Sequence, residues 1–117
     1  MSQDQHLPLY FKFYQLIKFL YETVRSFPKQ YKYSLGQSIL DLGWTCLDSI
    51  LSAEALPKEE KHLKILQLSL SFDRLKIRLR MAQEINIVSI KQYAHLQSFY
   101  FKELGDMIGG WLKWSSV

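Results

Sequence analysis

The sequence predicts an all-α protein, an up-down antiparallel four-helix bundle. Three observations predict it: proline and loop signals cut the 117 residues into four long apolar-rich stretches, each stretch carries apolar residues at helical spacing, and Gly and Pro are sparse at 5 and 3. The cuts fall at Pro8, around Ser26-Phe27-Pro28-Lys29, at Pro57, and between Asn86 and Ser89. The expected helices span roughly 8–26, 31–54, 58–85 and 90–114, within a single domain over 1–117.

The first segment is rich in rings ("YFKFY"), most of which a buried helix face would use. In the second, Leu35, Ile39, Leu42, Cys46, Ile50 and Ala53 lie along one line, while Leu40, Trp44, Leu47 and Leu51 lie roughly opposite. Gly36 and Gly43, seven apart, suit close approach of a neighbouring helix.

The third segment contains "FDRLKIRLRM", in which Arg74, Lys76, Arg78 and Arg80 alternate with Leu75, Ile77 and Leu79 as in a half-buried strand. A helical wheel resolves the alternation. Ile65, Leu68, Phe72, Leu75, Leu79 and Ala82 form one stripe, and Leu63, Leu66, Leu70, Ile77 and Met81 form a second on the opposite side. Arg74 and Arg78 then fill one gap between the stripes and Lys76 and Arg80 the other, so the strand reading gives way to a helix apolar on two sides. The fourth segment opens with capping-box spacing at Ser89 and Gln92, flanked by Val88 and Tyr93, and keeps one broad apolar face from Tyr93 to Trp114.

A four-helix monomer buries about one side of each helix, so the second stripes predict a homo-oligomer rather than a compact monomer that covers them itself. The interface residues expected are Leu40, Trp44, Leu47 and Leu51 on the second helix, with Leu66, Leu70, Ile77 and Met81 on the third.

Enzymatic chemistry finds little support. Glu59 and His62 make one Glu-x-x-His pair where a di-iron site needs two, and His6, His62 and His95 share no metal-ligand spacing. Cys46 falls in an apolar stripe, where a buried thiol is expected, and no phosphate-binding glycine loop occurs. The expectation is a protein without catalytic residues, metal or cofactor. The polar opening "MSQDQH" and the lack of a long apolar run indicate neither a signal peptide nor a membrane helix, leaving the cytoplasm as the expected location.

Net charge is +4 with a pI near 9.2, and its distribution is uneven. Five basic residues stand against Glu22 alone from Lys12 to Lys32, and four against Asp73 from Asp73 to Arg80. Nine of the seventeen aromatic residues fall in the first thirty-three, close to lysines; stacking of bases on such rings is a known mode of binding, although packing accounts for most of them.

"SFPKQYKYSLGQSI", "LKIRLRMAQEINIVSIKQY" and "ELGDMIGGWLKW" together resemble the accessory variability determinant (Avd) proteins of diversity-generating retroelements, over roughly residues 8 to 114. Related four-helix proteins encoded in ribosomal RNA intervening sequences belong to the same superfamily. The resemblance implies a homopentameric barrel that binds a reverse transcriptase and RNA to support mutagenic complementary-DNA synthesis, without being catalytic itself. It places nucleic-acid or partner binding on Lys76 and Arg80, with Arg78 and Arg74 beside them, and on Lys29 and Lys32. An intervening-sequence protein with an RNA-related role, a purely structural helical oligomer and a metal-dependent bundle enzyme are the competing expectations.

Overall fold

The computed structural model describes the backbone of residues 2–116 and the side chains of residues 8–116. Among these the chain is helical throughout, with four long helices and no strand. α1 is Ser2–Arg25, α2 covers 29–55, α3 is Lys58–Glu84 and α4 covers 90–115. Pro8 lies inside α1 rather than opening it: the helix continues through the proline despite the lost backbone bond and the crowding of the turn before it.

Pro28 and Pro57 directly precede α2 and α3 with extended ψ angles of 146° and 156°, the conformation expected of a residue flanking a helix start. At the other end of α3 the chain turns through Asn86, the only described non-glycine residue with positive φ, at 65°. Asn86 N–H donates to Gln83 O (3.0 Å) and Ile87 N–H to Ala82 O (2.8 Å). This pair of bonds is a Schellman motif, and the short polar side chain of Asn tolerates the left-handed position. α4 begins with the expected capping box, Ser89 Oγ accepting from Gln92 N–H and Gln92 Oε1 from Ser89 N–H, each at 3.0 Å.

α2 and α4 each contain a π-turn, at Lys32–Gly36 and Leu96–Phe101. The wider turn lets Leu96 and Phe101, five residues apart, both reach the core, which an uninterrupted α-helix would not align so closely. The sequence reading did not anticipate either turn.

Neighbouring helices run antiparallel. Arg78 meets Ser38 near one end of the α2/α3 pair, and Lys61 meets Ala53 near the other. Gly36 and Gly43 bring α1 close to α2: a Cβ on Gly36 would lie 2.7 Å from Val24 Cγ1, and one on Gly43 3.2 Å from Leu20 Cδ1. All six residues of the inner α3 stripe are buried, as are Ile39, Cys46, Ile50 and Ala53 of α2, while Leu35 and Leu42 are half-buried. Across the middle of the bundle the rings of Phe13, Phe72 and Phe101 meet edge to face, with centroids 5.8 Å and 5.7 Å apart.

Candidate nucleic-acid interface

The ring layer at Phe13, Phe72 and Phe101 divides the molecule into two ends. One end, built from residues 14–43 and 73–100, holds nine Lys and Arg against four Asp and Glu; the rest of the sequence holds six against seven. The first end therefore accounts for +5 and the second for −1 of the net +4. Antiparallel packing gathers the two basic stretches of the sequence at one end, where their fields add.

At that end the α3 cations separate into two rows. Arg78 leans toward α2, its Nε–H donating to Ser38 Oγ (2.7 Å) and an Nη1–H to Arg74 O (3.2 Å). Lys76 and Arg80 lean toward α4. Lys76 Nζ lies 3.5 Å from Asp73 Oδ1 and 4.9 Å from the centre of the Phe72 ring, and Arg80 Nε–H donates to Glu84 Oε2 (3.1 Å). Both acids are exposed partners on the same helix, and such pairs contribute little energy, so a phosphate can compete for the cations. The two residues border a groove of about 870 Å³ between α3 and α4, whose other walls include Tyr93, Gln97 and Lys102.

Lys29 and Lys32 sit at the start of α2, Lys29 exposed and Lys32 half-buried. The six cations singled out in the sequence thus share one end of the bundle but occupy three places around it. Lys18, Arg25 and Lys91 belong to the same basic end and were not singled out.

The outer apolar stripe of α3 is open to solvent. Leu66, Leu70, Ile77 and Met81 are all exposed, Ile77 at 64%, and so is Leu63. On α2, Trp44 and Leu51 are exposed, with Trp44 Nε1–H donating to Tyr21 Oη at 2.9 Å. Leu40 and Leu47 correct the expectation: they are 8% and 4% exposed and belong to the core of the single chain. The close approach of α1 at Gly36 and Gly43 covers that side of α2, so neither residue is open to a second copy.

Of the residues weighed for chemistry, Cys46 is buried, and His62 and His95 make contacts within the bundle. Burial pushes the Cys46 thiol up to about 12, so it carries no thiolate near neutral pH. Ser115 Oγ–H donates to Leu112 O (2.8 Å) and lies 2.9 Å from His62 Nδ1, an arrangement in which the imidazole Nδ1–H donates to the hydroxyl. Glu59 is exposed in the first turn of α3. The side chain of His6 lies outside the described residues. His95 lies against Phe19 and Phe99, ring centroids 5.0 Å and 5.1 Å away. Lys61 carries a role the sequence reading missed: it is buried, and its ammonium donates to Ala53 O (2.6 Å) and Glu54 O (3.1 Å), satisfying carbonyls at the end of α2. No described helix is long and apolar enough to cross a membrane.

No curated protein and no solved structure matches the chain. A family profile described as bAvd-like matches residues 9–115, which takes in most of α1, all of α2, α3 and α4, and both basic stretches. With nearly the whole sequence aligned to it, the chain belongs to the bAvd-like family.

Proposed function

We propose that this chain is a non-catalytic accessory protein of a diversity-generating retroelement, one that forms a homo-oligomeric barrel and binds reverse transcriptase and RNA during mutagenic complementary-DNA synthesis. Membership of the bAvd-like family supports the retroelement role. The observation that carries the binding reading is the basic end, with nine basic against four acidic residues set beside a helix whose outward side is apolar.

The two features work together. Association through Trp44 and Leu51 of one protomer and the Leu66, Leu70, Ile77 and Met81 stripe of the next removes apolar surface from water. It also arrays the basic ends around one axis. A ring of five carries +20, five times the protomer's +4, and attracts RNA by releasing counterions from its phosphates. Arg74, Lys76, Arg78 and Arg80 supply contacts along α3, with Lys29 and Lys32 beside them. The arginines can grip phosphate in a bidentate fork, whereas Lys76 offers a point charge. The polymerase, bound on a separate surface, supplies the selection of template.

RNA binding measured across a salt series tests this reading. Affinity should fall log-linearly, by 10³-fold or more between about 50 and about 200 mM salt if about six phosphates are contacted. Reversing charge at Arg78 and Arg80 (Arg78→Glu, Arg80→Glu) should abolish binding while leaving the helical circular dichroism intact. Affinity insensitive to salt, or untouched by the reversal, refutes it. Co-purification with the reverse transcriptase encoded alongside it, lost on disrupting the oligomer, tests the second partner.

A further inference from the structure

From a second groove at the basic end, between α1 and the π-turn of α2, we infer a subsite that stacks one unpaired RNA base on Tyr33 while Lys32 and Arg25 hold its flanking phosphates. This rests on the RNA-binding reading above and names a place and a kind of strand for it.

The groove has a volume of about 420 Å³, toward the small end of the range of about 300–1,000 Å³ typical of ligand pockets. That suits a single nucleotide rather than a duplex. Val24 and Leu40, both buried, make an apolar floor. Tyr21 and Tyr33 form walls, and Arg25 and Lys32 stand at the rim, with no Asp or Glu in the lining. Among the described residues neither Arg25 nor Lys32 forms a salt bridge, in contrast to Lys76 and Arg80, each of which faces an acid on its own helix.

The two tyrosines differ in a way that suits stacking. Tyr21 is anchored by the hydrogen bond from Trp44. Tyr33 is 73% exposed and, among the described residues, makes no hydrogen bond, ring contact or cation contact. A fixed wall and a largely solvated ring leave an aromatic face open beside two uncommitted cations, the combination that non-specific single-strand binders use. The π-turn sets this geometry, because Gly36 at its end fits against Val24 where any Cβ would collide. π-turns recur at functional sites for this reason: they reorient side chains without ending the helix. The α3/α4 groove differs: its Phe101 ring is buried in the core, and its Tyr93 is half-buried with Oη accepting from Gln97 Nε2–H at 3.4 Å.

The test compares binding of the full-length protein to a uridine oligonucleotide of about 20 residues, an abasic strand of the same length, and a blunt RNA duplex. Tyr33→Ala should weaken uridine-strand binding by about 5- to 100-fold, leave the abasic strand and the slope of affinity against salt unchanged, and be rescued by Tyr33→Trp. Binding of the duplex should be insensitive to both substitutions. Because the ring is mostly in solvent, circular dichroism of Tyr33→Ala should match wild type. Undiminished uridine-strand binding by folded Tyr33→Ala overturns the subsite while leaving polyanion binding standing. Equal loss on the abasic strand, or loss of reverse transcriptase binding alone, also overturns it. Absence of binding to any of the three by wild type at low salt overturns both readings.

Discussion

The inner and outer stripes of α3 are almost matched in composition and opposite in fate. Ile65, Leu68, Phe72, Leu75, Leu79 and Ala82 are buried by the other three helices, whereas Leu63, Leu66, Leu70, Ile77 and Met81 stay in water. Lys61 continues the inner line one turn earlier, and even this cation is buried because α2's last carbonyls meet its ammonium. Hydrophobicity alone therefore does not decide what a side chain does here. What decides is which side of the helix the chain's other helices can reach, and the unreached side stays exposed.

Leu68→Ala and Leu75→Ala should break the inner stripe at the greatest cost, about 2–5 kcal/mol each, read as a shift of the urea midpoint. Lys61→Met comes next. It keeps the side-chain length but removes the donor to two carbonyls, and should destabilise by about 1–3 kcal/mol in the same titration. Ile77→Lys should sharpen the contrast: protomer stability changes by no more than about 0.5 kcal/mol while self-association weakens. Smaller still, Asp73→Asn with Glu84→Gln should leave stability within about 0.5 kcal/mol and raise RNA affinity a few-fold, by freeing Lys76 and Arg80 from their ion pairs. Unchanged affinity in fluorescence anisotropy would show that those cations do not contact RNA.

The thiol gives a pH-linked check on the same core. Its folded-state value is raised from 9.0 to about 12, so Cys46 contributes stability in full below pH 9 and loses it as pH rises from 9 toward 12. At pH 8 a disulfide reagent should modify it only at the rate of unfolding.

Much of this arrangement was legible in the sequence because helical periodicity reports which residues share a face. The six inner α3 positions, the capping box at Ser89 and the close approach at Gly36 and Gly43 all follow from spacing and local chemistry. What periodicity leaves out is which neighbour covers a face. Leu40 and Leu47 share a line with Trp44 and Leu51, yet α1 buries the first two and leaves the second two exposed. The π-turns were hidden because one extra residue per turn leaves no compositional mark. The cations were found individually, but their gathering at one end is a product of antiparallel topology. Tyr33 is one of the nine early rings that the sequence leaves between packing and base stacking; only its position on the widened turn reveals it as the most exposed tyrosine of the described chain.

The central claim is that the uncovered side of α3 is a contact between copies, and sedimentation equilibrium of wild type against Leu70→Lys/Ile77→Lys tests it most directly. Wild type should weigh close to five times the 13.9 kDa protomer, and the double variant should sediment as a folded single chain. A wild-type protein that stays at 13.9 kDa at micromolar concentration, or a variant that assembles just as wild type does, would contradict the account.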